Sequence, residues 1–109
     1  MRYVVDIDGT ICEPGDTDAT RYTDALPIRS RIDKINKLYD DGHHIVYLTA
    51  RGMGRFSNSR MHAHREFYKF TENQLKAWRC KYHELHLGKP SRDHYIDDKG
   101  IHSDEFLRN

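Results

Sequence analysis

The chain has 109 residues, which fits one domain with a modest core, and we predict a single domain over residues 1–109. Hydrophobic residues make up 37% and charged residues 32% of the sequence, so the composition excludes an intrinsically disordered chain. The net charge is +1, so any attraction to nucleic acid or to an anionic membrane has to be local.

The cysteines and the lack of long apolar runs indicate the compartment. Cys12 and Cys80 are far apart and neither belongs to a CxxC pair, which predicts two free thiols rather than a zinc site or a redox dithiol. No stretch approaches the roughly 20 apolar residues of a transmembrane helix, and the apolar run at the N-terminus is too short for a signal peptide. We therefore predict a cytoplasmic protein with no membrane partner.

The first half of the chain predicts a strand, a flap, a helix and a second strand. Residues 2–7 (RYVVDI) contain several β-branched residues and predict a buried strand that ends in a charged turn, whereas 11–26 carry Pro, Gly and acidic residues that favour a loop or a small flap. A helix is predicted to begin near Pro27 and to end at Gly42. Its apolar residues recur at helical spacing: Ile28, Ile32, Ile35 and Leu38. Residues 44–49 (HIVYLT) predict a second buried strand.

The second half predicts one more helix and two short strands. Residues 51–69 are compatible with a loop or an irregular helix, and Thr71 with Gln74 fits a capping box at a helix N-terminus. Residues 83–87 alternate polar and apolar side chains as a half-buried strand does, and 94–96 predict a last short strand.

The tail, 101–109, is expected to form one helical turn. The alternation of strands and helices predicts an α/β fold, namely a minimal Rossmann-like parallel sheet of about four strands with flanking helices. In such folds the chemistry lies beyond the carboxyl ends of the strands.

Polar residues stand at each of these predicted strand ends. They are Asp6 and Asp8, Thr49, Lys89, and the pair Asp97 and Asp98. Several carboxylates at one edge repel each other unless a divalent cation neutralises them, and hard oxygen ligands suit Mg²⁺. A lysine and a hydroxyl at the same edge suit an anionic substrate. The set predicts a site for phosphoryl transfer.

The motifs that carry these residues resemble those of the haloacid dehalogenase (HAD) superfamily of phosphohydrolases. The matching segments are VVDIDGTI at 4–11, IVYLTAR at 45–51, GKP at 88–90 and YIDDKGI at 95–101. They occur in the family's order and span nearly the whole chain. The short gaps between them imply the small, uncapped type, without a lid domain.

The resemblance implies a catalytic role for four residues. Asp6 is expected to be the nucleophile that forms an aspartyl-phosphate, and Asp8 the acid/base that protonates the leaving oxygen and then activates water. Thr49 is expected to hydrogen-bond a phosphoryl oxygen, and Lys89 to neutralise charge on the nucleophile and the phosphoryl group.

The resemblance also implies a metal site. Mg²⁺ is expected to be held by the Asp6 carboxylate, the Asp8 backbone carbonyl and the pair Asp97 and Asp98, with the direct ligand of that pair left open. Gly9 is expected to let the backbone turn tightly at this site.

Substrate contacts are predicted next to the second motif. Segment 51–69 is rich in basic residues, which are compatible either with a solvated face or with binding of a second anionic group. We predict Arg51 and Arg55 as its contacts, with Gly9 and Ala50 lining the substrate site.

These features predict an enzyme, a Mg²⁺-dependent phosphomonoesterase for a small phosphorylated metabolite such as a sugar phosphate. One alternative is a polynucleotide 3′-phosphatase, since an uncapped site admits a polymer and the basic segment is suited to follow a phosphate backbone. Another is a non-catalytic phosphate-binding or receiver-like module. A homo-oligomer is also expected, because uncapped family members often cover the site with a neighbouring subunit.

Overall fold

The computed structural model describes residues 1–53, 60–89, 94 and 96–108. The elements in chain order are β1 (Arg2–Val5), β2 (Cys12–Glu13), β3 (Leu26–Pro27), α1 (Arg29–Asp40), β4 (His44–Thr49), α2 (Arg60–Ala77), β5 (Glu84–Leu87) and α3 (Ser103–Phe106). Together they make a small Rossmann-like α/β fold, as the alternation of strand and helix patterns predicted.

Three of the strands form a parallel sheet in the order β1-β4-β5. Val4 pairs with Val46, and Tyr47 pairs with Leu85 on the other side of β4. β4 is the central strand and its residues 45–47 are buried, which explains its unbroken apolar run. The carboxyl ends of all three strands lie at one edge, where the predicted site residues follow.

The predicted fourth strand at 94–96 is not formed by the residues that the structure describes. His94 and Ile96 belong to no strand, and Ile96 is 99% exposed. Tyr95 lies outside the described residues.

Helix α1 covers one face of the sheet. Ile32 and Ile35 are fully buried in the core, which confirms the predicted apolar stripe. The helix ends at Asp40, and Gly42 follows with φ of 96°, a left-handed conformation that glycine adopts without the steric cost of a Cβ atom.

Helix α2 is longer than the capping-box pattern predicted. It begins at Arg60 rather than near Thr71, so Thr71 lies in the helix interior and the predicted cap is wrong. Thr71 is fully buried, and its hydroxyl is hydrogen-bonded to Arg51 instead of to a helix N-terminal amide. A local pattern of Thr and Gln did not reveal this partner, because the partner comes from another part of the chain.

The segment between β1 and α1 forms the predicted flap. Strands β2 and β3 pair antiparallel over two residues each, and the loop 14–25 connects them. The backbone N–H of Ile28 donates to the carbonyl of Ile11, which ties the start of α1 to the base of the flap. The predicted helical turn near the C-terminus is α3. Within the described residues, no helix has both the length and the apolar character needed to cross a membrane.

Candidate active site at the carboxyl edge of the sheet

The acidic turn after β1 is held by its own backbone. Ile7 is fully buried, and its carbonyl accepts from the N–H groups of Thr10 and Ile11 at 3.1 and 2.9 Å. Gly9 has φ of 81° and donates its N–H to the carbonyl of Cys12 at 2.9 Å. A side chain at this φ is strained, so glycine permits the tight turn. The turn places Asp6 and Asp8 at the same edge.

Asp6 faces Lys89. The lysine Nζ lies 3.6 Å from Asp6 Oδ1, and the Thr10 hydroxyl donates to Asp6 Oδ2 at 3.5 Å. Burial raises the pKa of Asp6 above its ordinary value, and the Lys89 charge opposes that rise without cancelling it. Asp6 is therefore a partly desolvated carboxylate beside a cation, and about a third of its side chain is exposed.

Thr49 lies between these two residues in the sheet order, at the end of β4. Its carbonyl accepts from the N–H groups of Gly88 and Lys89 at 3.1 and 3.2 Å, which fixes the start of the lysine segment. Its hydroxyl oxygen accepts from the Arg51 N–H at 3.2 Å. This contact uses an acceptor position of the hydroxyl, whose hydrogen is suited to donate to an anion.

Asp8 faces Arg51 rather than Lys89. The Arg51 guanidinium donates from Nε to Asp8 Oδ2 and from Nη2 to Asp8 Oδ1, each at 3.0 Å. The Cys12 thiol also donates to Oδ1 at 3.5 Å. Burial, and then the neighbouring Asp8 charge, raises the pKa of Cys12 to about 12, so this residue stays a neutral thiol.

Arg51 is enclosed by protein. Only 1% of the residue is exposed, Nη1 donates to the Thr71 hydroxyl at 3.3 Å, and the guanidinium carbon lies 4.9 Å from the centre of the Tyr22 ring. We expected Arg51 to contact substrate, but its guanidinium faces Asp8 instead. A buried cation beside a carboxylate acts on that carboxylate.

Sequence reasoning missed the residues that surround Arg51, namely Cys12, Tyr22 and Thr71. Their contacts join the flap, α2 and the strand ends, and no spacing along the chain indicates such contacts. One signal was present: an arginine two residues after a buried strand, at an edge with two aspartates, needs a counter-charge.

The predicted metal ligands are not gathered into one site. Asp97 and Asp98 are exposed, and the pKa of Asp97 is lowered by hydrogen bonds, first from the Lys99 N–H and then from Asp98. Among the described residues, no group of three or more His, Cys, Asp or Glu side chains could hold a metal ion. The structure therefore describes no complete set of Mg²⁺ ligands, and Asp6 presents one hard oxygen ligand at the edge.

Of the other two predicted substrate contacts, Ala50 lies within the described residues and Arg55 does not. Ala50 is half-buried directly after β4, and its carbonyl accepts from the Met53 N–H at 2.9 Å. Arg55 lies outside the described residues. Of the predicted set, the structure thus brings together Asp6, Thr49 and Lys89, and places Asp8 beside them in contact with Arg51.

A solved structure shares this fold. The chain is similar to a structural-genomics target protein from Vibrio cholerae, known from a crystal structure, with a TM-score of 0.87 and 27% sequence identity over 99% of this chain and 88% of that one. No family model matches the chain, and no curated protein does. The match carries the fold and no statement of activity.

Proposed function

We propose that the chain is an uncapped phosphohydrolase of the HAD type, which hydrolyses a small phosphate monoester through an aspartyl-phosphate on Asp6. One observation carries the proposal: the ammonium group of Lys89 lies 3.6 Å from the Asp6 carboxylate, next to the strand end that bears Thr49. A carboxylate, a cation and a hydroxyl at the carboxyl edge of a parallel sheet make a site for a phosphoryl group.

The proposed chemistry has two steps. In the first, an Asp6 oxygen bonds to phosphorus while the bond from phosphorus to the leaving oxygen breaks, and protonated Asp8 gives its proton to that oxygen. In the second, water attacks the same phosphorus, gives a proton to Asp8, and the bond to Asp6 breaks. The products are an alcohol and inorganic phosphate, and both aspartates return to their starting states.

Lys89 and Thr49 are proposed to stabilise the phosphoryl group. The Lys89 charge offsets negative charge that is shared between Asp6 and the phosphoryl oxygens, and the Thr49 hydroxyl donates to one of them. Lys89 and Thr49 stabilise the transition state most if both side chains are already in place before the substrate binds. The two backbone hydrogen bonds to the Thr49 carbonyl provide this preorganisation.

The short connection between β1 and β4 supports an uncapped enzyme. Between β1 and β4 the chain holds only the two-stranded flap and α1, which are too small to be a lid domain. A small phosphorylated metabolite is the substrate class that we propose. Longer phosphorylated chains are tested as well, because an uncapped site would admit them.

Mg²⁺ remains the proposed cofactor, with Asp6 as its first ligand. It would supply positive charge to the phosphoryl oxygens. The exposed carboxylates of Asp97 and Asp98 would have to come to Asp6 for a complete set of ligands, so a metal titration is a direct test of that part of the proposal.

The deciding experiment is a phosphatase screen of the full chain and of Asp6→Asn. The substrates are sugar phosphates, nucleotides, an aryl phosphate and 3′-phosphorylated oligonucleotides, each with Mg²⁺ and with EDTA. We expect release of phosphate from a small monoester that requires Mg²⁺ and is lost in Asp6→Asn. Equal release by both proteins contradicts the proposal, and so does binding of phosphate without turnover. A preference for the oligonucleotides would assign the polynucleotide alternative.

A further inference from the structure

The Asp8 carboxylate is held unequally at its two oxygens. Oδ1 accepts from Arg51 Nη2 at 3.0 Å and from the Cys12 thiol at 3.5 Å. Oδ2 accepts from Arg51 Nε at 3.0 Å, and no other hydrogen bond reaches it from the part of the chain that the structure describes. A carboxylate has about four lone-pair positions, two on each oxygen. Both positions on Oδ1 are thus used, whereas Oδ2 keeps one.

We propose that Arg51, together with Cys12, is a positioning residue that fixes the Asp8 carboxylate so that Oδ2 is the atom that exchanges a proton with the substrate. The inference rests on the proposed function and assigns Arg51 a role other than substrate binding. Asp8 is the residue that touches the reacting atoms, and Arg51 acts through it.

The geometry of Arg51 suits this role. Two parallel N–H bonds from one guanidinium define the plane of the carboxylate as well as its position, which a single donor does not do. The Asp8 side chain is 13% exposed, so the carboxylate is largely shielded from solvent and still partly accessible. The carboxylate is held before substrate arrives, so little orientation has to be gained during the reaction.

Arg51 is itself held from two sides. Its third nitrogen, Nη1, donates to the Thr71 hydroxyl of α2 at 3.3 Å, and its guanidinium carbon lies over the Tyr22 ring of the flap loop. Tyr22 is anchored in turn, since Gln74 donates to its carbonyl at 2.8 Å and its hydroxyl accepts from the Gly52 N–H at 3.3 Å. The flap and α2 therefore both determine where the guanidinium points.

Proton transfer from Asp8 matters most when the leaving group is a poor one. An alkoxide requires a proton as the bond to phosphorus breaks, whereas a dinitrophenolate leaves without one. A residue that acts through Asp8 should therefore affect alkyl phosphates far more than dinitrophenyl phosphate. A residue that only stabilises the fold, or that binds the phosphoryl group, should affect both substrates alike.

The test compares hydrolysis of an alkyl phosphate and of 2,4-dinitrophenyl phosphate by the full chain. The variants are Arg51→Lys, Arg51→Met and Asp8→Asn, with Arg29→Met as the matched control. Arg29 also joins two elements, by hydrogen bonds to Asp33 and to the Trp78 carbonyl, but it contacts neither Asp6 nor Asp8.

We expect Arg51→Met to lower kcat for the alkyl phosphate by about 100-fold and for the dinitrophenyl phosphate by less than about fivefold, within the range of general acid catalysis. Asp8→Asn should show the same selectivity, and Arg51→Met added to Asp8→Asn should cause little further loss. Arg51→Lys keeps the positive charge but loses the pair of parallel N–H bonds to Asp8. Its kcat for the alkyl phosphate should therefore lie between those of the wild type and Arg51→Met. Arg29→Met should leave kcat for both substrates close to the wild-type values.

An equal loss for both substrates in Arg51→Met, or a further large loss in the Asp8→Asn background, overturns the inference while leaving the proposed function in place. If Arg51→Met does not fold, Arg51→Lys decides by the same comparison of substrates. Wild-type protein that hydrolyses neither ester, under conditions where Asp6→Asn is also inactive, overturns the proposed function and this inference with it.

Discussion

Lys89 lies 3.6 Å from Asp6 although the two residues follow the two outer strands of the described sheet. β4 separates those strands, so the lysine has to cross the end of β4 to reach the aspartate. Gly88, with φ of 115°, and the hydrogen bonds from residues 88 and 89 to the Thr49 carbonyl turn the chain in that direction. The contact is therefore built by the turn after β5 as much as by the lysine side chain.

Replacing Lys89 is predicted to reduce activity and to move its pH dependence. Lys89→Met removes the cation that opposes the rise in the Asp6 pKa, so the acid limb of the kcat/KM profile should shift to higher pH. The loss of charge stabilisation should lower kcat by about 100- to 1000-fold. A pH profile of kcat/KM with an aryl phosphate measures both effects. Lys34→Met is the control, because the Lys34 ammonium group donates to the Arg108 carbonyl and not to Asp6. This variant should leave the pH profile unchanged.

Asp6→Asn is predicted to abolish activity and to stabilise the fold at neutral pH. The pKa of Asp6 is higher in the folded state than in the unfolded state. The protonated carboxyl group therefore favours folding below the unfolded pKa, and this stabilisation is lost as the pH rises through the folded pKa. The ionised residue therefore costs stability at neutral pH, and Asn removes that cost. Denaturant unfolding at pH 7 should show a higher midpoint for the variant, and the difference should shrink on acidification. A lower midpoint at pH 7 would mean that the contact with Lys89 outweighs desolvation.

The sequence was sufficient to predict that Asp6, Thr49 and Lys89 lie at the same edge of the sheet, but the predicted convergence of Asp97 and Asp98 with Asp6 is not seen in the described part of the chain. β1 and β4 are apolar runs that end in polar turns, and parallel strands place those ends together, so Asp6 and Thr49 were expected to be close. Lys89 followed by the same argument from β5. These predictions depend on the strands being parallel, which the alternation of strand and helix patterns along the chain indicates.

The direction of side chains could not be predicted in the same way. Arg51 was expected to face substrate because it follows the second motif, yet its guanidinium turns inward to Asp8. The choice depends on whether a buried carboxylate is near, and Thr71 and Tyr22 contribute to it from elements that are distant in sequence. Likewise, the predicted start of α2 near Thr71 was wrong, because the Thr71 hydroxyl contacts Arg51 rather than capping the helix.

Thr49→Val is predicted to impair both the site and its surroundings, whereas Thr49→Ser should not. Valine removes the hydroxyl proposed to bind a phosphoryl oxygen, which should lower kcat by about 10- to 100-fold for all substrates. It also leaves the buried Arg51 N–H without its acceptor, which should reduce the free energy of unfolding by about 1–3 kcal/mol. Serine retains the hydroxyl oxygen and should keep most of the wild-type kcat and most of the free energy of unfolding. Activity assays and urea unfolding of the two variants check this, and an equal effect of Ser and Val would contradict it.

Glu84 is predicted to control stability in acid without affecting activity. It starts β5, at the edge of the sheet opposite the proposed site, and its carboxylate contacts His44 and His86 as well as Arg2. Hydrogen bonds from His44 and then from His86 lower the pKa of Glu84 to about 2. The folded-state pKa is therefore below the unfolded value of 4.5, so the stabilisation is present above that pH and is lost as the pH falls toward about 2.

Glu84→Gln should therefore be less stable than the wild type at pH 6, and the two should converge on acidification. The stabilising contacts are partly exposed, so raising the salt concentration should also reduce the difference. Glu72→Gln is the matched control, because Glu72 pairs with Lys69 along the surface of α2. Thermal unfolding of the three proteins between pH 3 and pH 7 gives the comparison. A gap between wild type and Glu84→Gln that widens toward low pH would show that the His and Arg contacts do not act through the charge of Glu84.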